Sequence, residues 1–175
     1  MKTKWNNFFS RSLKTAGLFF IIFALSSLNT FAGKGKTNFT GKWTINESKS
    51  MLSEGGFGPA KMLIINQEGN NLTIERKQTN RNGEEMTVSL KYTLDGKECD
   101  NSNDRRTSKS VLGWSDDGKT LTITTTSKSE RDGQVFESKT VEIWKLGEDG
   151  KSLVIDQTVN SSRGERKSNL VYDKQ

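Results

Sequence analysis

The sequence predicts an all-β domain, an antiparallel up-and-down β-barrel of about 8–10 strands. Three observations predict it: tight turns recur along the chain, the segments between them alternate apolar and polar residues, and helical periodicity is nearly absent. About 143 residues follow an N-terminal apolar segment, enough for one domain. Only about 26 % of these residues are apolar, and the fraction stays below the about 45–50 % of typical domains, which includes glycine, even when the glycines are added. This composition excludes a large dry α/β core and fits a barrel with a partly polar interior.

Seven glycine-containing turns punctuate the chain at intervals of 13 to 22 residues. Most are Asp-Gly or Asn-Gly pairs, which supply the positive φ angles that tight hairpin turns require. The glycines of these turns are Gly69, Gly83, Gly96, Gly118, Gly133, Gly150 and Gly164. Their spacing predicts hairpins that follow one another as a meander.

The runs between the turns are rich in Thr, Val, Ile and aromatic residues with a period of two, which is typical of strands. In the run 85–94, five apolar residues fall on one face. The loop 46–60 is the longest, and one helical turn is expected near 48–53. The pattern predicts ten strands, at 41–46, 61–67, 71–79, 85–94, 97–100, 105–115, 119–129, 134–146, 151–160 and 165–174.

The eighth predicted strand is ambiguous. Val141 and Ile143 alternate in the phase opposite to that of Phe136 and Trp144, so both faces of the strand carry large apolar residues. A β-bulge, which inserts one extra residue into a strand and so reverses the alternation beyond it, is therefore expected within this strand.

Residues 1–32 have the composition of a cleaved secretory signal peptide. Four basic residues and no acidic residue accompany an apolar run at 16–28, and small residues stand at Thr30 and Ala32, where a signal peptidase reads the chain. The apolar run is shorter than the ~20 residues that span a bilayer. The sequence therefore predicts a periplasmic or secreted protein; a retained N-terminal anchor is the alternative.

After cleavage, a flexible linker is expected at 33–38 and the barrel domain at 39–175. This part carries 23 basic and 21 acidic side chains, a net charge of +2, without a basic stripe interleaved with aromatic residues. Nucleic acid is therefore not predicted as a partner, and no further membrane span is predicted. The pattern leaves the oligomeric state open.

The chemistry available to the chain is limited. It has no His, which excludes His-based triads and His-containing zinc sites, and the single Cys99 cannot form an internal disulfide. No nucleophile stands beside a visible base. The sequence therefore predicts a protein that is not an enzyme, with no catalytic residues, no cofactor and no metal site.

The two ends of the predicted barrel resemble the calycin superfamily. Residues 39–43 (Phe-Thr-Gly-Lys-Trp) resemble the Gly-x-Trp opening of lipocalins and intracellular fatty-acid-binding proteins, and residues 170–174 are similar to the closing strand of the fatty-acid-binding branch. The chain also resembles lipocalin-like domains of secreted bacterial proteins of unassigned function. Two features depart from the fatty-acid-binding branch: Leu170 stands where that branch has an arginine, and the loop 46–60 is too short for its two-helix lid.

In a closed meander with an even number of strands, the last strand runs antiparallel to the first. Lys174 is then expected to lie across the indole of Trp43, a contact that contributes ~0.5–2 kcal/mol. Gly41 allows the backbone to pass close to its neighbour. We therefore expect Gly41, Trp43, Tyr172 and Lys174 to have structural roles at the closed end, with Trp43 as a plug rather than a ligand contact.

Three strands that run in the same direction begin with apolar residues, Leu72, Leu121 and Leu153 among them, and then become polar or mixed on the same face. If that face points inward, one end of the barrel is a packed floor and the other a wetter, open half that can hold a ligand. The candidate ligand-binding residues at this open end are Arg76, Gln78, Thr125, Ser127 and Gln157.

Arg76 is the one positive charge that the pattern places firmly in the open half, and it would favour a ligand with an anionic or carbonyl group. The alternative is that Arg76 and Gln78 point into solvent at the rim. The leading hypothesis is an exported lipocalin-like barrel that binds a small apolar or amphipathic ligand. The other hypothesis is a filled barrel without a ligand that acts as an envelope interaction or inhibitor protein through loops such as 46–60 and 99–107.

The signal peptide yields the first prediction. N-terminal sequencing of the exported protein is expected to begin at Gly33, because signal peptidase cleaves after the small residue at Ala32. A sequence that began at Met1 would contradict it and would favour the retained anchor.

Overall fold

The computed structural model describes residues 35–53, 58–80 and 82–175. The predicted signal peptide lies outside the described residues, so it stays a prediction. Ten strands follow one another, with a short 3₁₀ helix at Glu47–Lys49 after the first. The strands are β1 (Gly41–Ile45), β2 (Met62–Glu68), β3 (Asn71–Thr79), β4 (Glu85–Thr93), β5 (Cys99–Asp100), β6 (Thr107–Trp114), β7 (Leu121–Arg131), β8 (Gln134–Leu146), β9 (Ser152–Ser161) and β10 (Gly164–Lys174).

All strand pairs are antiparallel, and the strands form one sheet in the order β4-β3-β2-β1-β10-β9-β8-β7-β6-β5. The last strand therefore returns to pair with the first, with Trp43 opposite Lys174 in the register. The edge strands β4 and β5 are consecutive in sequence and lie beside each other, so the sheet curls into a nearly closed barrel. The predicted all-β, antiparallel up-and-down barrel is confirmed.

Side chains close the seam between β4 and β5 where the backbone ladder is missing. The Asn101 side-chain amide donates to the Lys91 carbonyl and accepts from the Lys91 N–H, both at 2.9 Å, and so replaces a peptide group of a neighbouring strand. The Thr93 N–H donates to Cys99 Sγ at 3.1 Å. The thiol of Cys99 is free and buried in this seam.

The seven glycines expected in turns all have positive φ angles, between 56° and 98°. At the β7–β8 hairpin the preceding Asp132 also has a positive φ of 52°, the combination that a type I′ turn requires. Because turns of this kind join adjacent antiparallel strands, they account for the simple meander of the chain.

One half of the barrel interior is an apolar floor. Leu72, Leu121 and Leu153 are fully buried there, each at the start of its strand. The ring of Phe39 stacks on Trp114 with centroids 5.9 Å apart and meets Trp144 edge-on at 5.8 Å. Such aromatic pairs contribute beyond the area they bury, so they help to hold the segment that precedes β1 against the floor.

The closed end of the barrel is built around Trp43, which is fully buried. Its indole N–H donates to the Phe39 carbonyl at 3.0 Å, and Lys174 Nζ lies 5.3 Å from the ring centroid. Gly41 has a φ of 155°, and a Cβ there would approach Lys174 Cε at 3.2 Å and the Trp43 indole nitrogen at 3.3 Å. The buried Tyr172 hydroxyl donates to the Ala60 carbonyl at 3.1 Å.

Strand β8 contains no bulge, because its register with β7 and with β9 runs without interruption along the strand. Glu142 and Trp144 face inward and are buried. Val141 and Ile143 lie on the outer face, where they are half-buried. The expected bulge was wrong because an apolar pattern does not reveal an inward-facing acidic residue.

The closed end generates a stability prediction. Trp43→Ala is expected to lower the free energy of unfolding by about 3–5 kcal/mol, as for other large aromatic side chains removed from cores. Urea unfolding followed by far-ultraviolet circular dichroism measures it. The Lys174→Ala variant, which removes only the cation over the ring, is expected to lose about 0.5–2 kcal/mol. A loss below about 1 kcal/mol for Trp43→Ala would contradict the plug role.

Candidate functional site

The open half of the barrel, at the end of the β3–β4, β7–β8 and β9–β10 turns, contains a cavity of about 470 Å³. Small-molecule pockets usually measure about 300–1,000 Å³. The inner part of its wall is apolar, with Leu63, Ile155 and Leu170. Short hydroxyl side chains line the outer part, namely Ser138, Thr140, Ser161 and Ser168.

The alternation of the strands explains this gradient. On β9, Ile155, Gln157, Val159 and Ser161 all line the cavity at intervals of two residues, in the phase of the fully buried Leu153. Whichever way it runs, each strand of the wall has its apolar residues toward the floor and becomes more polar toward the mouth. Many of the inward side chains near the mouth are serines and threonines, and the space between the walls is unfilled.

A bidentate ion pair crosses the base of the cavity. Arg76 Nη1 donates to Glu142 Oε1 at 3.0 Å, and Arg76 Nη2 donates to Glu142 Oε2 at 2.7 Å. Arg76 belongs to β3 and Glu142 to β8, and four strands separate β3 from β8 in either direction around the barrel. The pair therefore ties opposite walls together. The side chains keep only 23 % and 6 % of their accessible surface.

Two further donors complete the environment of Glu142. Gln157 Nε2 donates to Oε1 at 2.9 Å and the Trp144 indole N–H donates to Oε2 at 3.2 Å, so each carboxylate oxygen accepts two hydrogen bonds. Burial acts to raise the pKa of Glu142, but the charge of Arg76 and these hydrogen bonds outweigh it and hold the pKa below its usual value. Burial also acts to lower the pKa of Arg76, and Glu142 reverses this effect. Both groups are therefore charged, and the pair is neutral as a whole.

A tyrosine near the pair stays neutral at physiological pH. Burial raises the pKa of Tyr92 to about 12, and the nearby positive charge of Arg76 only partly opposes this rise. Among the residues that the structure describes, no group of three or more His, Cys, Asp or Glu side chains is arranged to hold a metal ion. The described helical segment is too short to cross a bilayer.

The structure brings three of the five candidate ligand-binding residues together. Arg76, Gln78 and Gln157 line this cavity, Ser127 lines only a second cavity at the mouth, and Thr125 lines neither. The Thr125 hydroxyl lies 2.8 Å from the Ser110 hydroxyl, its neighbour on β6. Ser127 is buried and accepts a hydrogen bond from Arg106 Nη2 at 2.6 Å, so the arginine covers it.

The anion-binding role expected for Arg76 needs a correction. The alternative that Arg76 points into solvent at the rim is wrong, because its guanidinium lies inside the barrel. Its charge is already matched by Glu142. Arg106 and Arg166 also line the cavity, so Arg76 is not the one positive charge placed there. The residue that changes the role of Arg76 is Glu142, which stands two residues before Trp144 on the inward face of β8.

Sequence patterns contain a signal for some of these missed residues. Arg166 shares the phase of Leu170 and Tyr172 on β10, so alternation alone places it on the inner face. Glu142 is likewise in phase with Trp144. Arg106 lies just before β6, and strand periodicity gives no signal for a loop residue.

A second cavity of about 760 Å³ lies at the mouth and shares Arg106, Ser138, Ser161 and Arg166 with the first. Its lining contains three acidic residues and six basic ones, an excess of three positive charges. The basic residues are Arg105, Arg106, Lys128, Arg131, Arg163 and Arg166. The mouth of the barrel is therefore cationic, although the net charge of residues 33–175 is only +2.

Comparison with known proteins gives little further information. No protein-family model matches the chain, and no curated protein matches it. The solved structure of the zebrafish ileal bile acid-binding protein in complex with cholic acid is similar to it, with 18 % sequence identity and a TM-score of 0.39. The match covers 78 % of this chain and 98 % of that chain.

The buried ion pair generates the next prediction. Glu142→Gln leaves the guanidinium of Arg76 inside the barrel without a counter-charge, and we expect it to lower the free energy of unfolding by about 3–5 kcal/mol. Urea unfolding at pH 7 measures the loss. Glu137→Gln on the same strand removes an exposed carboxylate and is expected to change stability by less than about 0.5 kcal/mol. An equal effect of both variants would contradict a structural role for the pair.

The same pair predicts a pH dependence. Because the pKa of Glu142 is lower in the folded than in the unfolded chain, its contribution is present above its usual value of 4.5 and is lost as the pH falls through the folded pKa. The stability difference between the parent and Glu142→Gln is therefore expected to be constant from about pH 6 to 8 and to narrow below about pH 4.5. Unfolding curves measured at pH 7, 5 and 3 test this, and a difference that widened toward pH 3 would contradict it.

Proposed function

We propose that this chain is an exported barrel that binds one small amphipathic ligand in the cavity of its open half. The observation that carries the proposal is the unfilled space of about 470 Å³ between an apolar inner wall and a hydroxyl-lined outer wall. Export rests on the signal peptide predicted at residues 1–32. The ten-stranded barrel is a scaffold that can hold one small molecule.

The walls match an amphipathic molecule better than a purely apolar one. Leu63, Ile155 and Leu170 offer apolar surface, and burial of apolar ligand surface contributes roughly 25 cal/mol per Å². Gln157 offers an amide group at the base and Gln78 offers one nearer the mouth. The polar groups of a bound ligand can therefore form hydrogen bonds with these side chains. The apolar part of the ligand can pack against the inner wall.

The filled-barrel hypothesis is less well supported. A filled barrel needs large apolar side chains packed together in its upper half, whereas serine, threonine and arginine side chains line a cavity there. The loops on which that hypothesis relied also contribute to the cavity, since Gly58, Pro59, Ala60 and Arg106 line it. The loops thus form part of the wall around the proposed ligand.

A blocking variant tests ligand binding. Thr140 lines the cavity, and the preceding residue, Lys139, is exposed on the outer face of the same strand. Thr140→Phe is expected to weaken binding of the neutral fluorescent probe N-phenyl-1-naphthylamine by at least about tenfold, which is about 1.4 kcal/mol, because the ring occupies the cavity. Lys139→Phe adds the same ring outside and is expected to leave the affinity within about twofold of the parent.

Native mass spectrometry gives a second readout that does not depend on a chosen probe. The parent purified from its own host is expected to retain a small molecule that is lost on denaturation, and Thr140→Phe is expected to carry none. If the parent binds neither a host molecule nor the neutral probe, or if both phenylalanine variants bind the probe equally well, the proposed function fails.

A further inference from the structure

We infer that the ligand carries an acidic oxyanion group, and that Arg106 and Arg166 bind this group where the two cavities join. The inference rests on the proposed function and deepens it by naming the chemical class of the ligand. It moves anion recognition from Arg76, at the base of the cavity, to two arginines near the mouth.

Arg166 has a cationic side chain without an acidic partner in the part of the chain that the structure describes. It lies on β10 opposite Val159, in the phase of Leu170, and so faces the interior. It is half-buried and lines both cavities. A guanidinium in this position keeps its fork of donors available to a bound molecule.

Arg106 reaches the same junction from the loop before β6. Its Nη2 donates to the neutral hydroxyl of Ser127 at 2.6 Å, a contact that anchors the side chain but does not compensate its charge. An arginine carries five N–H donors in a fixed fork, so the contact with Ser127 leaves others free for the cavity. Arg106 and Arg166 are thus held on separate elements and line the same two spaces.

The balance of charge inside the inner cavity favours an anion. Its described lining contains the charged residues Arg76, Arg106, Glu142 and Arg166. Arg76 and Glu142 neutralise each other through two hydrogen bonds. The two remaining positive charges are those of Arg106 and Arg166. Each would gain a charge-assisted hydrogen bond from an acidic group, which is stronger than a bond to a neutral acceptor.

The position of these arginines also sets the orientation of the ligand. A molecule whose apolar body lies against Ile155 and Leu170 has its other end at the junction of the two cavities. The excess of positive charge around the outer cavity attracts anions toward this mouth. A carboxylate, sulfonate or phosphate offers the oxygen pairs that guanidinium forks bind.

Two matched probes test this inference. 1-Anilino-8-naphthalenesulfonate and N-phenyl-1-naphthylamine share the same aromatic body, and only the first carries an acidic group. Arg106→Gln and Arg166→Gln are each expected to weaken binding of the sulfonate by at least about tenfold and to leave the neutral probe within about twofold. The neutral probe also shows that each variant is folded.

Arg105→Gln is the control variant. Arg105 is adjacent to Arg106 in sequence but lines only the outer cavity, so its loss is expected to change sulfonate binding by no more than about twofold. Displacement of the sulfonate probe by decanoate, decyl phosphate and decanol then identifies the acidic group. Either acid is expected to displace the probe at a lower concentration than the alcohol does.

The outcomes separate the inference from the proposed function. If the neutral probe binds in the cavity but the sulfonate loses no more affinity in Arg106→Gln and Arg166→Gln than in Arg105→Gln, the inference is overturned and the function stands. Equal losses for the two probes, or equal displacement by decanol and decanoate, would also overturn it. If the parent binds neither probe and retains no host molecule, the proposed function itself fails.

Discussion

The ion pair between Arg76 and Glu142 determines how the two halves of the barrel differ. These residues stand on opposite strands, and each would be costly to bury alone, by several kcal/mol. Their two hydrogen bonds, together with those from Gln157 and Trp144, satisfy the carboxylate within the barrel.

Below the pair the interior is packed with aliphatic and aromatic side chains. Above it most inward side chains are polar, serines, threonines and arginines among them, and the interior is open. The pair lets polar groups lie directly on an apolar floor, because every charge at that boundary is compensated.

The same arrangement divides stability from ligand binding. Close packing around Trp43 and Phe39 supplies apolar burial that stabilises the fold, and neither residue lines the cavity. Unfilled space in a core lowers stability in proportion to its volume. A cavity near the mouth can be occupied by solvent through polar contacts with hydroxyl side chains, so this cost is smaller there than it would be in the floor. The closed end therefore stabilises the barrel while the open end keeps room for a ligand.

The strands could be predicted from sequence because their determinants are local. Positive-φ glycines set the turns, and a period of two set the strands between them, so the bounds of all ten strands agree with the structure within two residues. Glu142 could not be read in the same way. An acidic residue is ordinarily exposed, and its burial depends on Arg76, which is 66 residues away in the chain. Thr125 and Ser127 were placed on the correct face, but their neighbours Ser110 and Arg106 occupy their hydroxyl groups. Alternation predicts which face a side chain lies on, whereas the choice of partner depends on long-range contacts.

These long-range contacts also change where the barrel can recognise charge. With the base of the cavity neutral, a ligand gains no net electrostatic attraction by presenting an acidic group to the floor, and it would have to compete with Glu142 for Arg76. At the junction of the cavities the positive charges of Arg106 and Arg166 have no acidic partner among the residues described. An amphipathic acid bound with its apolar end inward contacts the apolar inner wall and places its acidic group beside Arg106 and Arg166. The reverse orientation makes neither contact. The distribution of charge along the barrel axis therefore selects the direction of the ligand as well as its chemical class.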